Sequence, residues 1–143
     1  LVADLGVTWP PEGTGLMYSR AKVLMDARAA GIQYPMEAVF MDFRNLDAFR
    51  VECEIARTLG YVGKVAIHPM QIPVIHEVFT PSDEDVAHQR HILDEFEKAL
   101  AAGSASIAVD GKMVDYAVAR VARAVLARAA VADRAKARST QHS

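Results

Sequence analysis

Read from its start, the chain alternates between apolar stripes of helical period and short apolar runs that end on a polar residue. Leu16, Met17, Val23, Leu24 and Ala27 recur at helical spacing, so a helix is expected from Gly15 to Ala30, closed by Gly31. Glu37-Ala38-Val39-Phe40-Met41 is nearly all apolar and ends at Asp42-Phe43-Arg44. A buried parallel strand reads this way, with a polar residue emerging at its carboxyl end. Asn45 is placed to cap a second helix, Leu46 to Leu59, with Phe49, Ile55, Ala56 and Leu59 at its apolar positions and Gly60 at its end. A second buried strand, Lys64 to Ile67, halts at His68-Pro69, because proline fixes φ and has no N–H to donate to a ladder. A short helical turn follows, with an exit at Thr80-Pro81-Ser82. Helix, strand, helix, strand with short connections predicts βα units on a parallel sheet. Parallel sheets are buried on both faces, so two strands need further partners, expected upstream of Leu1.

The pattern changes after Ser82. Ser82 stands three residues before Asp85, close to a capping box. It opens a helix to about Ala102 whose stripe is Val86, Ile92, Leu93, Phe96 and Leu100. Gly103-Ser104 breaks it, and Ser106–Val109 and Lys112–Val114 flank the tight-turn dipeptide Asp110-Gly111, which predicts a hairpin. Asp115 opens a last helix with Val118, Val121, Ala122, Val125, Leu126 and Ala129 on one side, and the polar tail from Ala135 is expected to fray. The start has a different character. Leu1–Gly6 reads like the interior of a longer protein, and Thr8–Gly15 is a turn-rich connection with two prolines.

Composition narrows the function classes. At 143 residues, 52% hydrophobic and 24% charged, the chain can bury a core. A net charge of −2, with 16 basic and 18 acidic residues dispersed, gives no basic face for nucleic acid. Basic residues gather only at Arg123, Arg128, Arg134, Lys136 and Arg138, which reads as a solvated helix end. No apolar run approaches the ~20 residues a bilayer span needs, and a reducing, cytoplasmic setting is the default expectation. The single cysteine, Cys53, lies in a helical pattern and reads as a small core residue. His88 and His91 share a helix face, but with no third ligand nearby they read as surface residues.

Three polar groups stand where apolar strands or turns end: Asp42, His68 and Asp115. Ligands bind at the carboxyl edge of parallel sheets, which makes Asp42 and His68 candidates. Each also has a structural reading, His68 as a strand cap and Asp42 as a turn cap or an ion-pair partner of Arg44. Asp115 fits a helix N-cap, and a proton donor or acceptor on a movable cover is compatible with that. No glycine-rich phosphate loop is present.

The run GKVAIHPMQIPVIHEVFTPSDEDV, from Gly63 to Val86, together with DGKMVD at Asp110–Asp115, resembles the citrate lyase beta-subunit and malyl-CoA lyase group of the HpcH/HpaI aldolase superfamily. LVADLG, the helix ending in ARAAGI, and VFMDFRNLDAFR fit the same group in order and spacing. The resemblance implies an α/β fold: the C-terminal part of a TIM (β/α)8 barrel over residues 1–80, then a helical lid with a short β-hairpin over residues 81–143. The barrel part would hold the end of strand six and strands seven and eight, and the assembly would be a homotrimer. It implies magnesium-dependent, reversible carbon–carbon cleavage of a 3-hydroxyacyl-CoA thioester such as malyl-CoA or citramalyl-CoA. Ile67 and His68 match the strand-eight pair that contacts the CoA moiety. Asp115 matches the lid aspartate that acts as catalytic acid/base, often in a neighbouring subunit's barrel, and Asp42 is a candidate on the substrate side. The metal ligands of the family, a glutamate after strand five and an aspartate just before the LVADLG-like segment, would lie upstream, so Asp4 is not one of them. The residues that select the acyl group lie mostly upstream as well. A chain holding only the CoA-side wall and the lid is expected to be inactive alone. The same fold could also serve a thioesterase, a malate-synthase-like enzyme, or a lid subunit without catalysis.

Overall fold

The structure, a computed structural model, describes residues 14–140 together with Asp4 and Gly6. Most of Leu1–Gly6, where a strand end is expected, and most of the Thr8–Gly15 connection lie outside the described residues. The chain forms two compact units, the first ending at Phe79 and the second beginning at Thr80.

The first unit is mixed α/β and mostly helical. A 3-10 turn, Thr14–Leu16, leads into α1 (Met17–Ala29), then β1 (Met36–Glu37), α2 (Leu46–Leu59), β2 (Gly63–Lys64), a 3-10 turn Pro69–Gln71 and α3 (Ile72–Phe79). β1 and β2 pair in parallel, Met36 opposite Gly63 and Glu37 opposite Lys64. Both strands are shorter than the apolar runs predict. Val62 N–H donates to Pro35 O and Val65 N–H to Glu37 O, but the ladder then stops. At the next level the Gln71 side chain stands in for the rung: its amide donates to Phe40 O and accepts from Ile67 N–H. No closed barrel is formed among the described residues.

α2 follows from its sequence closely. Asn45 accepts from Ala48 N–H at 3.1 Å, and Gly60 closes the helix with φ 109°, a left-handed conformation that a Cβ would strain. Phe49, Glu52, Cys53 and Ala56 share its buried face. Phe49 and Cys53 pack with Phe40 of the β1 exit and with Val74 and Val78 of α3, while Ala56 packs with Leu24 and Tyr61. The expected stripe of α1 is only partly buried: Leu24 is inside, Val23 is exposed, and Arg20 is buried in its place.

The second unit is an antiparallel helix-and-hairpin core: α4 (Asp83–Ala101), β3 (Ile107–Val109), β4 (Lys112–Val114) and α5 (Tyr116–Thr140). Ser82 and Asp85 form the reciprocal capping box. Asp110 at φ 50° and Gly111 at φ 75° make the primed turn that matches strand twist. Ile92 and Phe96 of α4 pack against Val109, Val114, Ala119 and Ala122, the alanines presenting little bulk to the facing residues. Leu100 and Val121, expected on the stripes, are exposed, and Ala119 takes the inward place. The tail expected to fray from Ala135 is helical to Thr140, in keeping with its alanine and long-chain residues of high helix propensity.

Candidate active site

Asp42, Phe43, Ile67 and His68 all lie just beyond the carboxyl ends of β1 and β2. Pro69 stops the second strand, and His68 then turns its backbone into the 3-10 turn as an N-cap with extended dihedrals, φ −145° and ψ 142°. Its Nδ1 accepts from Met70 N–H at 3.2 Å, and its own N–H donates weakly to Gln71 Oε1 at 3.3 Å. Ile67 N–H donates to the same oxygen at 2.9 Å, and Gln71 Nε2 donates to Phe40 O at 3.1 Å. Gln71 is fully buried, so this amide is a clasp between the two strand ends with no water to replace it. Its position in the IHP–Q run gave a short helical turn but no sign of this role.

Side chains at this rim form a stack. The Phe43 ring lies 4.5 Å from the His68 ring at 18°, and the Arg44 guanidinium sits 5.3 Å from the Phe43 centroid. Arg44 therefore rests on a ring, and no ion pair joins it to Asp42 among the described residues. Asp42 turns the chain through its backbone, its carbonyl accepting from Asn45 N–H at 3.1 Å, while its side chain is exposed. Ile67 is 47% exposed, an apolar group left available on the same edge.

Asp115 lies in the second unit, at the junction of β4 and α5. Its Oδ1 accepts from Ala117 N–H at 2.9 Å and Val118 N–H at 3.0 Å, an N-cap with a double anchor. The N-cap expectation therefore holds, and it leaves Oδ2 outside the cap. Met113 and Tyr116, close to it in sequence, are exposed.

A buried charge cluster lies between β1, β2 and the helices α1 and α2. Arg20 Nε stands 3.3 Å from Glu37 Oε1 and Arg20 Nη2 3.3 Å from Glu52 Oε2. Lys64 Nζ contacts Glu37 Oε2 and is 3.7 Å from Glu52 Oε2. Arg20 and Glu52 meet at ion-pair range without hydrogen-bond geometry. Burial pushes the Glu52 carboxyl up, with Arg20 pulling it back. Burial, followed by repulsion from Arg20, brings Lys64 down to about 7, while the neighbouring Glu37 carboxylate works against both. Beside this cluster, Val23, Met36, Met41 and Val65 help line an open apolar cavity of about 800 Å³. Sequence reasoning missed all four charged residues, whose spacings carry no helical or strand signal.

Cys53 is fully buried and burial pushes its thiol up to about 12, which suits a core residue and not a nucleophile. His91 Nε2 reaches no closer than 4.0 Å to Asp110 Oδ2. Among the described residues no three His, Cys, Asp or Glu side chains converge as a metal site, so these residues do not by themselves suit a magnesium ion. No helix of the described residues is long and apolar enough to cross a membrane.

Comparison with known proteins places these features. The family model for HpcH/HpaI aldolase/citrate lyase matches residues 1–69. Citrate lyase subunit beta of Escherichia coli K12 is 38% identical over 128 residues, 90% of this chain and 42% of that protein. The L-malyl-CoA/beta-methylmalyl-CoA lyase of Rhodobacter capsulatus is 40% identical over 115 residues, 80% of this chain and 36% of that protein. The crystal structure of CitE from Mycobacterium tuberculosis in complex with magnesium, acetoacetate and coenzyme A superposes with a TM-score of 0.74 at 30% identity, covering 91% of this chain and 49% of that one. The chain spans less than half the length of these relatives.

Proposed function

The chain belongs to the HpcH/HpaI aldolase/citrate lyase family, and from that premise we propose that the whole protein is a carbon–carbon lyase that cleaves or forms a 3-hydroxyacyl-CoA thioester such as malyl-CoA or citramalyl-CoA. The observation that carries this reading is the identity of 38–40% to named lyases across 80–90% of the chain. In the family's terms the first unit is the last part of a barrel and the second its lid. The exposed apolar side chains Val23, Met36, Met41 and Val65 around the strand pair support that assignment, because parallel strands are stable when both faces are covered.

In this reading Ile67 and His68 form the CoA-side wall, and Asp42 faces the substrate. Asp115 is the acid/base. Its Oδ1 is held by two backbone N–H groups, which fixes the carboxylate plane and leaves Oδ2 to exchange a proton with the thioester's α-carbon. In cleavage the 3-hydroxyl gives its proton to solvent as its carbon becomes a carbonyl, the C2–C3 bond breaks with its electron pair passing into the enolate, and Asp115 in its acid form protonates the enolate carbon. In condensation it removes the same proton. The magnesium we assign to the whole protein is held by residues outside this chain, and the assembly is a cytoplasmic homotrimer with the lid serving a neighbouring subunit.

The test is product analysis on malyl-CoA with magnesium, using the whole protein. Glyoxylate and acetyl-CoA support the reading. Free malate with CoA would replace it by thioester hydrolysis, and no reaction on any 3-hydroxyacyl-CoA would leave a lid without catalysis.

A further inference from the structure

Phe43 and Arg44 have no part in the reading above, yet with His68 they bring two hydrogen-bond donors, the His68 Nε2–H and the Arg44 guanidinium, to one phenyl ring at the strand-end rim. We propose that Phe43 and Arg44 determine specificity for the nucleotide end of the thioester, Phe43 holding the His68 ring so that its Nε2–H and the Arg44 guanidinium meet a phosphate. This rests on the acyl-CoA reading, and deepens it from a wall of two residues to a recognition element of four.

The tautomer follows from one hydrogen bond. Nδ1 of His68 accepts from Met70 N–H, so in the neutral ring the proton is on Nε2, which is a donor. No described residue accepts from Nε2. The ring cannot swing freely, because Phe43 stacks on it at 4.5 Å and 18°, and because its backbone is fixed by the Gln71 clasp. Arg44 lies over the same phenyl ring at 5.3 Å and has no carboxylate partner among the described residues. Arginine stacked on an aromatic face keeps its planar fork of donors free, and that fork matches phosphate better than it matches a neutral carbonyl. Ile67, exposed beside His68, supplies an apolar neighbour for the uncharged arm of the same ligand. The recognised group is thus a phosphate on a nucleotide thioester, with two sources: the ribose 3′-phosphate or the diphosphate bridge.

The experiment is calorimetric binding of CoA, dephospho-CoA and pantetheine to the whole protein and to R44Q, F43L and F43W. Binding is read without turnover, so failure of the lyase reading and failure of this proposal are separable. R44Q and F43L are expected to weaken CoA about tenfold, the scale of one charge-assisted hydrogen bond, and to leave pantetheine binding unchanged. F43W keeps a ring under Arg44 and against His68 and is expected to bind CoA within about twofold of the parent. If the R44Q effect disappears with dephospho-CoA, the 3′-phosphate is the group read; if it persists there and disappears only with pantetheine, the diphosphate is. Equal weakening of CoA and pantetheine, or CoA binding unaffected by R44Q, would overturn the proposal.

Discussion

Replacing Gln71 by leucine tests how the strand-end rim is held. The side chain is fully buried and makes three contacts: Nε2 to Phe40 O at 3.1 Å, and Oε1 from Ile67 N–H at 2.9 Å and from His68 N–H at 3.3 Å. Leucine fills a similar volume, so a cavity contributes little. The loss is in orphaned polar groups. Counting the longest contact as negligible leaves two well-bonded backbone groups without partners, at about 1–3 kcal/mol each, or about 2–6 kcal/mol in all. The assay is urea unfolding of the whole protein, together with hydrogen exchange at the Ile67 and His68 amides. Q71L should lower the unfolding midpoint and lose protection at those two amides. Q71E sharpens the test, because its ionised carboxylate can still accept from Ile67 but points an oxygen at Phe40 O. Protonation restores a donor there, so the Q71E deficit should shrink as pH falls. A Q71L protein with unchanged midpoint and unchanged protection would refute the clasp.

Four further outcomes follow. Lys64 is held down to about 7 from an ordinary 10.5, so between those values the unfolded chain binds the extra proton and stability rises with pH; K64M should flatten that rise in unfolding curves taken from pH 7 to 10. Glu52, pushed up by burial, acts with the opposite sign above its ordinary 4.5, stability falling as pH rises, and E52Q should remove that fall in unfolding curves taken upward from pH 4.5. Phe96 is fully buried in the second unit, and F96A should cost about 3–5 kcal/mol, seen as a lower midpoint in denaturant. The 143-residue chain by itself should show no turnover of malyl-CoA with magnesium, measured as glyoxylate released.

Local chemistry was the most legible part of the sequence. Asn45, Gly60, Ser82 with Asp85, and Asp110-Gly111 each impose a backbone geometry on a few neighbours, so each was readable without knowing what packs nearby. The helix stripes were right where one face meets a core, as at Phe49 and Phe96, and wrong where the face turns outward, as at Val23 and Val121. Strand length was overestimated, because an apolar run reports burial while a ladder needs a partner at each rung. The charge cluster was illegible for a related reason. Arg20, Glu37, Glu52 and Lys64 come from four elements, and only the fold brings them within 4 Å of one another's charges. Of the rim, the halt at His68-Pro69 was readable, but the Phe43 stack and the Gln71 clasp depend on side chains meeting across two strand ends.

The central claim is that a carboxylate anchored at the start of α5 moves the proton at the thioester's α-carbon. The most direct measurement is single-turnover cleavage of malyl-CoA by the whole protein carrying D115N. Asparagine keeps the Oδ1 acceptor for Ala117 and Val118 N–H, so the cap and fold are retained while the acid is lost. The predicted result is a rate lowered by about 100- to 10,000-fold with CoA binding unchanged. A D115N protein that cleaves within a few-fold of the parent rate would contradict the account.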